Sequence, residues 1–380
     1  MISGNNIPPK ALYLHIPFCE KKCYYCDFNS IVSDSKTIEH YLEAVDVELR
    51  TLTLMPWYTF TTVYIGGGTP SLLSEYYLEK LLRSVVSYIP VSGIKEFTFE
   101  ANPGSLTMGK ARLLKEYQVN RVSLGVQSFQ DKQLTFLGRV HSCDDARKTF
   151  SLLREAGFTN IAVDLLFGCP DQSLDEWKSD LTNLVELNPE HISTYSLTYE
   201  EGTPLTVDLK GGMINKLDEE IELEMYKAAI RYLSSNGYDH YEISNFAKNG
   251  YECSHNRVYW ENTGYAGIGA GAFSFIDGIR TMNERDIFCY SKGSPADIKS
   301  FRESLPPDRL ASETVIMSLR LRQGISNTDF IERFGYTLDD RFGDTIHKLI
   351  HDGFINYDNE RLKLTEKGLF VADSVMAEFL

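Results

Sequence analysis

Three cysteines stand close together near the start of the chain, Cys19, Cys23 and Cys26, in a C-x3-C-x2-C pattern. Three thiolates in one loop suit a metal ion or an iron–sulfur cluster. A structural zinc site asks for a fourth ligand, and the nearest candidate is His15. Three cysteines from one loop would leave one iron of a cubane open to a second ligand. The spacing favours the open cluster over zinc and over inert thiols. The remaining cysteines, Cys143, Cys169, Cys253 and Cys289, are isolated in sequence. Cys143, Cys169 and Cys289 have apolar neighbours and read as inert.

A second signal is Gly66-Gly67-Gly68-Thr69-Pro70, placed directly after a run of strand-forming residues. Glycines there let a ligand approach the backbone and leave main-chain groups free to bond it. The segment lacks the Lys-Ser/Thr of a phosphate loop and is not GxGxxG. Three more polar residues recur at strand ends or inside apolar strands: Glu100, Gln127 and Asp164. A buried acid or amide is costly without a partner. In parallel α/β folds the C-terminal edge of the strands is where sites are built.

The elements that would hold these residues follow from periodicity. Strand-like runs cover 11–16, 61–65, 96–100, 121–127, 160–167 and 191–198. Between them, apolar residues recur at helical spacing, as in Leu42, Val45, Leu49 and Leu52, or Trp177, Leu181 and Leu184. Six strands alternating with helices predict right-handed βαβ units and a parallel sheet. After about residue 215 the rhythm changes, so residues 1–215 and 216–380 are expected to form two domains. The second opens with a helix through Met225 and Ala229, a strand over 241–246 and a glycine-rich segment over 264–272. From about 305 helices precede a small hairpin, a winged-helix-like order.

With 380 residues the chain is long enough for two or three domains and a sizeable core. Its net charge is 38 − 53 = −15, and from Leu305 onward 9 Lys/Arg face 13 Asp/Glu. This balance argues against nucleic-acid binding, including by the tail. Apolar runs long enough to span a membrane are absent. The first ten residues show no leader pattern, so a cytoplasmic protein without stable membrane insertion is expected.

Together these residues resemble the radical S-adenosylmethionine superfamily. Tyr13-Leu14-His15-Ile16-Pro17-Phe18-Cys19 and the GGGTPS segment are similar to the oxygen-independent coproporphyrinogen III oxidase group and its relatives. The resemblance implies an α/β fold, a partial (β/α)6 barrel followed by a C-terminal α+β domain. It implies a [4Fe–4S] cluster on Cys19, Cys23 and Cys26, its fourth iron chelated by S-adenosylmethionine. It places Tyr13, Gly67, Gly68, Thr69 and Glu100 beside that nucleotide and Tyr25 at the cluster edge. Gln127, Arg139 and Asp164 match positions that contact a second S-adenosylmethionine in the oxidase.

Two departures from the oxidase stand out. Phe28 occupies the place of its fourth cysteine, and its N-terminal extension is missing. Both match the HemW-type heme chaperones, as does His255-Asn256-Arg257-Val258-Tyr259-Trp260. This likeness implies heme as ligand, an acceptor protein as partner, and no coproporphyrinogen oxidation. His255 is then a candidate heme ligand, since imidazole is a common axial ligand. The following run, Gly267 to Ala272, is expected to pack its backbone against a ligand. The alternatives are the oxidase itself, another radical enzyme, or an iron–sulfur scaffold without tetrapyrrole.

Overall fold

A computed structural model describes residues 9–54, 58–294, 297–358 and 360–380. Residues 1–8, part of the stretch read above for a leader, lie outside the described residues. Six strands run parallel and in sequence order: β1 (Ala11–Ile16), β2 (Thr62–Gly67), β3 (Glu96–Ala101), β4 (Arg121–Gln127), β5 (Ile161–Phe167) and β6 (His191–Ser196). Helices return the chain between them, and all but Asp131–Phe136 are started by a side chain that accepts from the first-turn backbone. Asp34 opens the helix Ser35–Leu52, Ser74 opens Glu75–Tyr88, and a Ser173–Glu176 capping box opens Leu174–Leu187.

The strands obey a strict period of two. Leu12, Leu14, Val63, Ile65, Phe97, Phe99, Val122, Leu124, Val163, Leu165 and Ile192 belong to one buried apolar core. The alternate residues are Tyr13, His15, Thr62, Tyr64, Glu96, Glu100, Arg121, Ser123, Asp164, His191 and Ser193. The curved sheet therefore carries an apolar layer on its helix-covered face and a polar lining on the other. The parallel sheet is the one expected from the alternation, and its barrel-like α/β curvature is the one the resemblance implied.

The sheet continues past residue 215. The stretch expected as one strand over 241–246 is a hairpin, β7 (Asp239–Glu242) and β8 (Asn245–Ala247), and β8 pairs antiparallel with β6. At the opposite edge β9 (Tyr265–Ile268) lies parallel to β1, in register Ala11↔Tyr265 to Leu14↔Ile268. Three antiparallel strands extend it, β10 (Phe273–Ile276), β11 (Ile279–Asn283) and β12 (Lys299–Ser304). Strands β1 to β12 make one sheet with β12 and β7 at its edges.

The glycine run after β9 packs against protein, contrary to its expected role against a ligand. A Cβ on Gly267 would lie 2.1 Å from the Phe273 carbonyl oxygen, and one on Gly269 would lie 2.6 Å from that of His15. Buried Glu48 accepts from the Gly269 amide (3.0 Å), Asn283 (2.9 Å) and the Tyr290 hydroxyl (2.6 Å). These bonds lock the segment.

A second core is built by the tail, around Val315, Phe330, Phe342, Ile346, Leu362 and Phe379. It joins helices Pro307–Ser318, Asn327–Phe334 and Leu338–His351 to a small sheet of β13 (Ile325–Ser326), β14 (Ile355–Tyr357) and β15 (Arg361–Leu364). The order is the winged-helix-like one. Among the described residues no helix is long and apolar enough to cross a membrane.

Candidate functional site

The polar face of the barrel encloses a cavity of about 1050 Å³. Its wall gathers Cys19, Cys23, Cys26, Tyr25, Gly67, Gly68, Thr69, Glu100, Gln127, Arg139 and Asp164. Eleven of the thirteen residues singled out from the sequence thus meet in one place. Tyr13 and His255 are not on that wall.

The cysteine loop is held in place by its backbone. Cys19 N–H donates to Ile31 O (2.9 Å) and Ile31 N–H to Pro17 O (2.8 Å), closing the loop at its base. Tyr24 is stapled on three sides: its N–H donates to Leu137 O (3.1 Å), its carbonyl accepts from Leu205 N (3.1 Å), and its hydroxyl donates to Asp208. Thr69 Oγ1 lies 3.7 Å from Cys19 Sγ and Arg139 Nη1 lies 3.6 Å from Cys23 Sγ. Burial pushes the Cys26 thiol up, and the Cys23 and Cys19 sulfurs add to it. Tyr25 lies beside Arg139, Cys23 and Cys26, and burial raises its phenol. Phe28 is exposed at the cavity mouth.

Among the described residues no three His, Cys, Asp or Glu side chains converge on a point where one metal ion could sit. His15, the fourth ligand that the zinc reading needed, has both ring nitrogens engaged, Nε2 with Asn29 O (2.7 Å) and Nδ1 with the Tyr13 hydroxyl (3.0 Å). A cubane asks for separate thiolates on separate irons; the loop supplies three free cysteines, of that donor type, to one cavity wall.

The glycine turn is required by the protein's own packing. A Cβ on Gly66 would lie 2.8 Å from the Glu100 carboxyl; one on Gly67, where φ is +117°, would lie 2.7 Å from the His15 ring. One on Gly68 would meet Phe18 O at 2.8 Å and Cys19 Sγ at 3.0 Å. The turn thus seats the cysteine loop as well as lining the cavity. Glu100 accepts from Tyr64 Oη (2.6 Å) and from Gly67 N (3.0 Å). Burial pushes its carboxyl up to about 7, with Asp164 adding to the rise and the two hydrogen bonds opposing it. Burial also raises Asp164, which accepts from Ser123 Oγ (3.2 Å). Arg139 Nη2 donates to Asn102 Oδ1 (2.7 Å) and Gly125 O (2.8 Å). Asn102 in turn donates to Thr69 Oγ1 (3.0 Å), linking the arginine to the glycine turn. Gln127 ends β4 at φ 70°, beyond a register shift between Gly125 and Gln127 that turns it into the cavity.

His255 is placed differently from its expected role. It lies in the short helix Ser254–Trp260, which plugs the barrel at the N-terminal ends of the strands. The ring is 1% exposed, with Nδ1 2.9 Å from Thr62 Oγ1 and Nε2 2.9 Å from the Tyr259 hydroxyl. Burial, then Arg121, lowers its pKa to about 3, so the imidazole is neutral. With both nitrogens occupied it offers no lone pair to an iron in this conformation. Glu96 pins the same helix by accepting from Ser254 N (2.8 Å) and His255 N (3.0 Å). Tyr259 and Trp260 line a separate cavity of about 340 Å³ behind the plug. Tyr13 faces inward on β1, its ring against Tyr64 and its hydroxyl on His15. Of the cysteines read as inert, Cys169 is buried, Cys143 is half-buried and Cys289 is exposed.

Sequence reasoning missed Tyr64, Asn102, Ser123, Arg121, His191, Ser193 and Arg320, all on the cavity wall. Five of them sit on the polar phase of the strand alternation, a signal that was present in β2, β4 and β6. Arg320 comes from the tail and had no local signal.

Comparison with known proteins agrees with this geometry. Residues 13–184 match the radical SAM superfamily model and residues 305–371 the HemN C-terminal domain. The chain is 37% identical to the heme chaperone HemW of Bacillus subtilis, over 98% of this chain and 99% of that one. It is 35% identical to HemW of Lactococcus lactis, over 98% and 97%. HemW of Escherichia coli is 34% identical over 98% and 99%. Coproporphyrinogen III oxidase (HemN) of Escherichia coli shares the fold, with a TM-score of 0.85 and 22% identity over 98% of this chain and 90% of that one. Full-length likeness at this level, joined to the cysteine loop and glycine turn on one barrel, shows that the chain belongs to the HemW family of the radical SAM superfamily.

Proposed function

We propose that this protein is a heme chaperone: it binds heme and passes it to an acceptor protein, in the cytoplasm, with a [4Fe–4S] cluster and S-adenosylmethionine bound in the main cavity. The observation that carries this reading is the gathering of Cys19, Cys23 and Cys26 with Glu100 and Arg139 on one wall, in a chain whose full-length relatives are named heme chaperones. The three cysteines would hold the cluster and leave one iron open. Gly67, Gly68, Thr69 and Glu100 would hold the nucleotide. A carboxylate suits its cationic or hydroxyl groups, and the Arg139 guanidinium suits a carboxylate. Gln127 and Asp164 line the part of the cavity beyond. The cluster, when bound, supplies the electron-transfer and chelating chemistry of the family; the side chains orient the nucleotide and exclude water.

The test is anaerobic reconstitution followed by two titrations. Heme should give a saturable Soret shift at one equivalent, and the loaded protein should transfer that heme to an apo-hemoprotein. Release of two CO₂ per coproporphyrinogen by the reduced protein would instead make the chain an oxidase and end the chaperone reading.

A further inference from the structure

Several arginines of this acidic chain find a carboxylate: Arg83, Arg154, Arg231, Arg257, Arg280 and Arg309 each do. The side chains of Arg121 and Arg320, both on the wall of the main cavity, form no ion pair or hydrogen bond with the described residues, and the Nε of each is buried without a partner. Arg121 is 2% exposed. A guanidinium so buried is costly unless something completes its hydrogen bonds. Its neighbour Glu96 makes no ion pair with it and accepts instead from the plug helix. Arg320 is held from the tail side by stacking 4.4 Å over the Trp260 ring. Glu242, the carboxyl whose charge it feels, accepts from Ser244 N (3.1 Å) and makes no ion pair with it.

Arg121 sits well inside and Arg320 is partly buried. Arg121 and Gln127 bound the same strand and both line the cavity, which therefore spans about 20 Å at 3.3 Å per residue. The acids of the rim, Glu20, Asp27, Glu200 and Asp373, are exposed to solvent. Of the deep acids, Glu100 and Asp164 are held toward their neutral forms by burial. Aromatic and apolar side chains, Tyr64, Leu166, Tyr195, Leu197 and Ile243, share the remaining wall with Ser123, His191 and Ser193.

We propose that Arg121 and Arg320 receive two carboxylates of one ligand in the main cavity, an apolar ring system bearing at least two carboxylate arms. This rests on the heme reading above, in which the arms are the two propionates, and it moves the heme from the His255 helix to the barrel interior. No coordination by His255 is needed.

The test uses reconstituted full-length protein titrated with heme, heme dimethyl ester and metal-free coproporphyrin. Wild type should bind heme ten- to a hundredfold more tightly than the ester, the ratio expected for charge-assisted hydrogen bonds. Arg320→Gln should weaken heme binding by about that factor and bring heme and ester level, with S-adenosylmethionine affinity unchanged. Arg121→Lys, which keeps the charge but loses the planar fork, should weaken heme to a lesser degree; its melting curve checks the fold. Equal binding of heme and ester by wild type, or unchanged heme affinity in Arg320→Gln, overturns the inference while leaving the chaperone reading standing. If wild type binds no heme but binds coproporphyrin in an Arg320-dependent way, the inference holds and the chaperone reading fails. Binding of neither overturns both.

Discussion

Gly68→Ala tests how the glycine turn and the cysteine loop depend on each other. The added methyl would lie 2.8 Å from Phe18 O and 3.0 Å from both Phe18 N and Cys19 Sγ, inside ordinary contact distance by roughly half an ångström. Phe18 cannot simply retreat. Its carbonyl accepts from Thr69 N (2.8 Å), and Cys19 N is tied to Ile31 O (2.9 Å). Overpacking of this kind costs about 1–3 kcal/mol, and loss of the Thr69–Phe18 hydrogen bond adds about 1, so about 2–4 in all. Gly157→Ala supplies the control. Its φ of +87° makes alanine unfavourable by about 1–2 kcal/mol, yet a Cβ there meets nothing within 4 Å and the residue is absent from the cavity wall. Both variants should melt earlier than wild type. Only Gly68→Ala should assemble less cluster, because only there does the new atom press on Cys19. Iron and sulfide per chain after anaerobic reconstitution, read beside thermal melting, separate the two. Wild-type iron in Gly68→Ala, or equal iron loss in Gly157→Ala, would refute the argument.

Other expectations follow from the same geometry. Replacing Cys19, Cys23 and Cys26 together by alanine should take reconstituted iron from about four per chain to almost none; one zinc per wild-type chain under iron-replete, reducing conditions would contradict the cluster. The raised Glu100 carboxyl binds a proton in the folded protein that it releases when unfolded. Its contribution to stability is therefore full below the unfolded value near 4.5 and is lost as pH rises through about 7. Glu100→Gln, which cannot ionise, should gain stability relative to wild type between pH 5 and 8, and denaturant midpoints at the two ends give the sign. His255→Ala should lower the melting temperature even without heme, by about 2–4 kcal/mol of stability, since it strips partners from buried Thr62 and Tyr259. A variant of unchanged stability that has lost heme would return the imidazole to the iron. Tyr24→Phe removes the bond to Asp208, and iron release to a chelator should quicken with the melting curve little changed.

Much of this protein is written locally. The strands expected over 11–16 and 121–127 coincide with β1 and β4, because alternation of apolar and polar residues is a property of the chain itself. The helices from Ser35, Glu75 and Leu174 are likewise set by spacing and caps within a few residues. Cys19, Cys23 and Cys26 announce their chemistry by type and spacing, and placing Glu100 and Asp164 on one parallel edge followed from strand order.

The partners of distant segments were not written there. The pairing of β9 with β1, more than 200 residues away, is decided by which backbone edge the closed stack leaves unbonded. A turn at Ile243 and Ser244 splits one strand-like run into the hairpin of β7 and β8. His255 has the chemistry of a ligand, but Thr62, a neighbour only in the fold, takes one of its nitrogens. The glycines of both rich segments read as openings for a ligand, and only the fold shows that they are also clearances for Phe18, His15 and Phe273. Arg121 looked like an ordinary strand residue, and only the inward face of the sheet gives it a cavity and leaves it without an ion pair among the described residues. Local pattern determines what a segment can become, since each residue's backbone preference acts within a few positions. Which groups are buried together, and therefore which must be paired, is set by burial and hydrogen bonding summed over the whole chain.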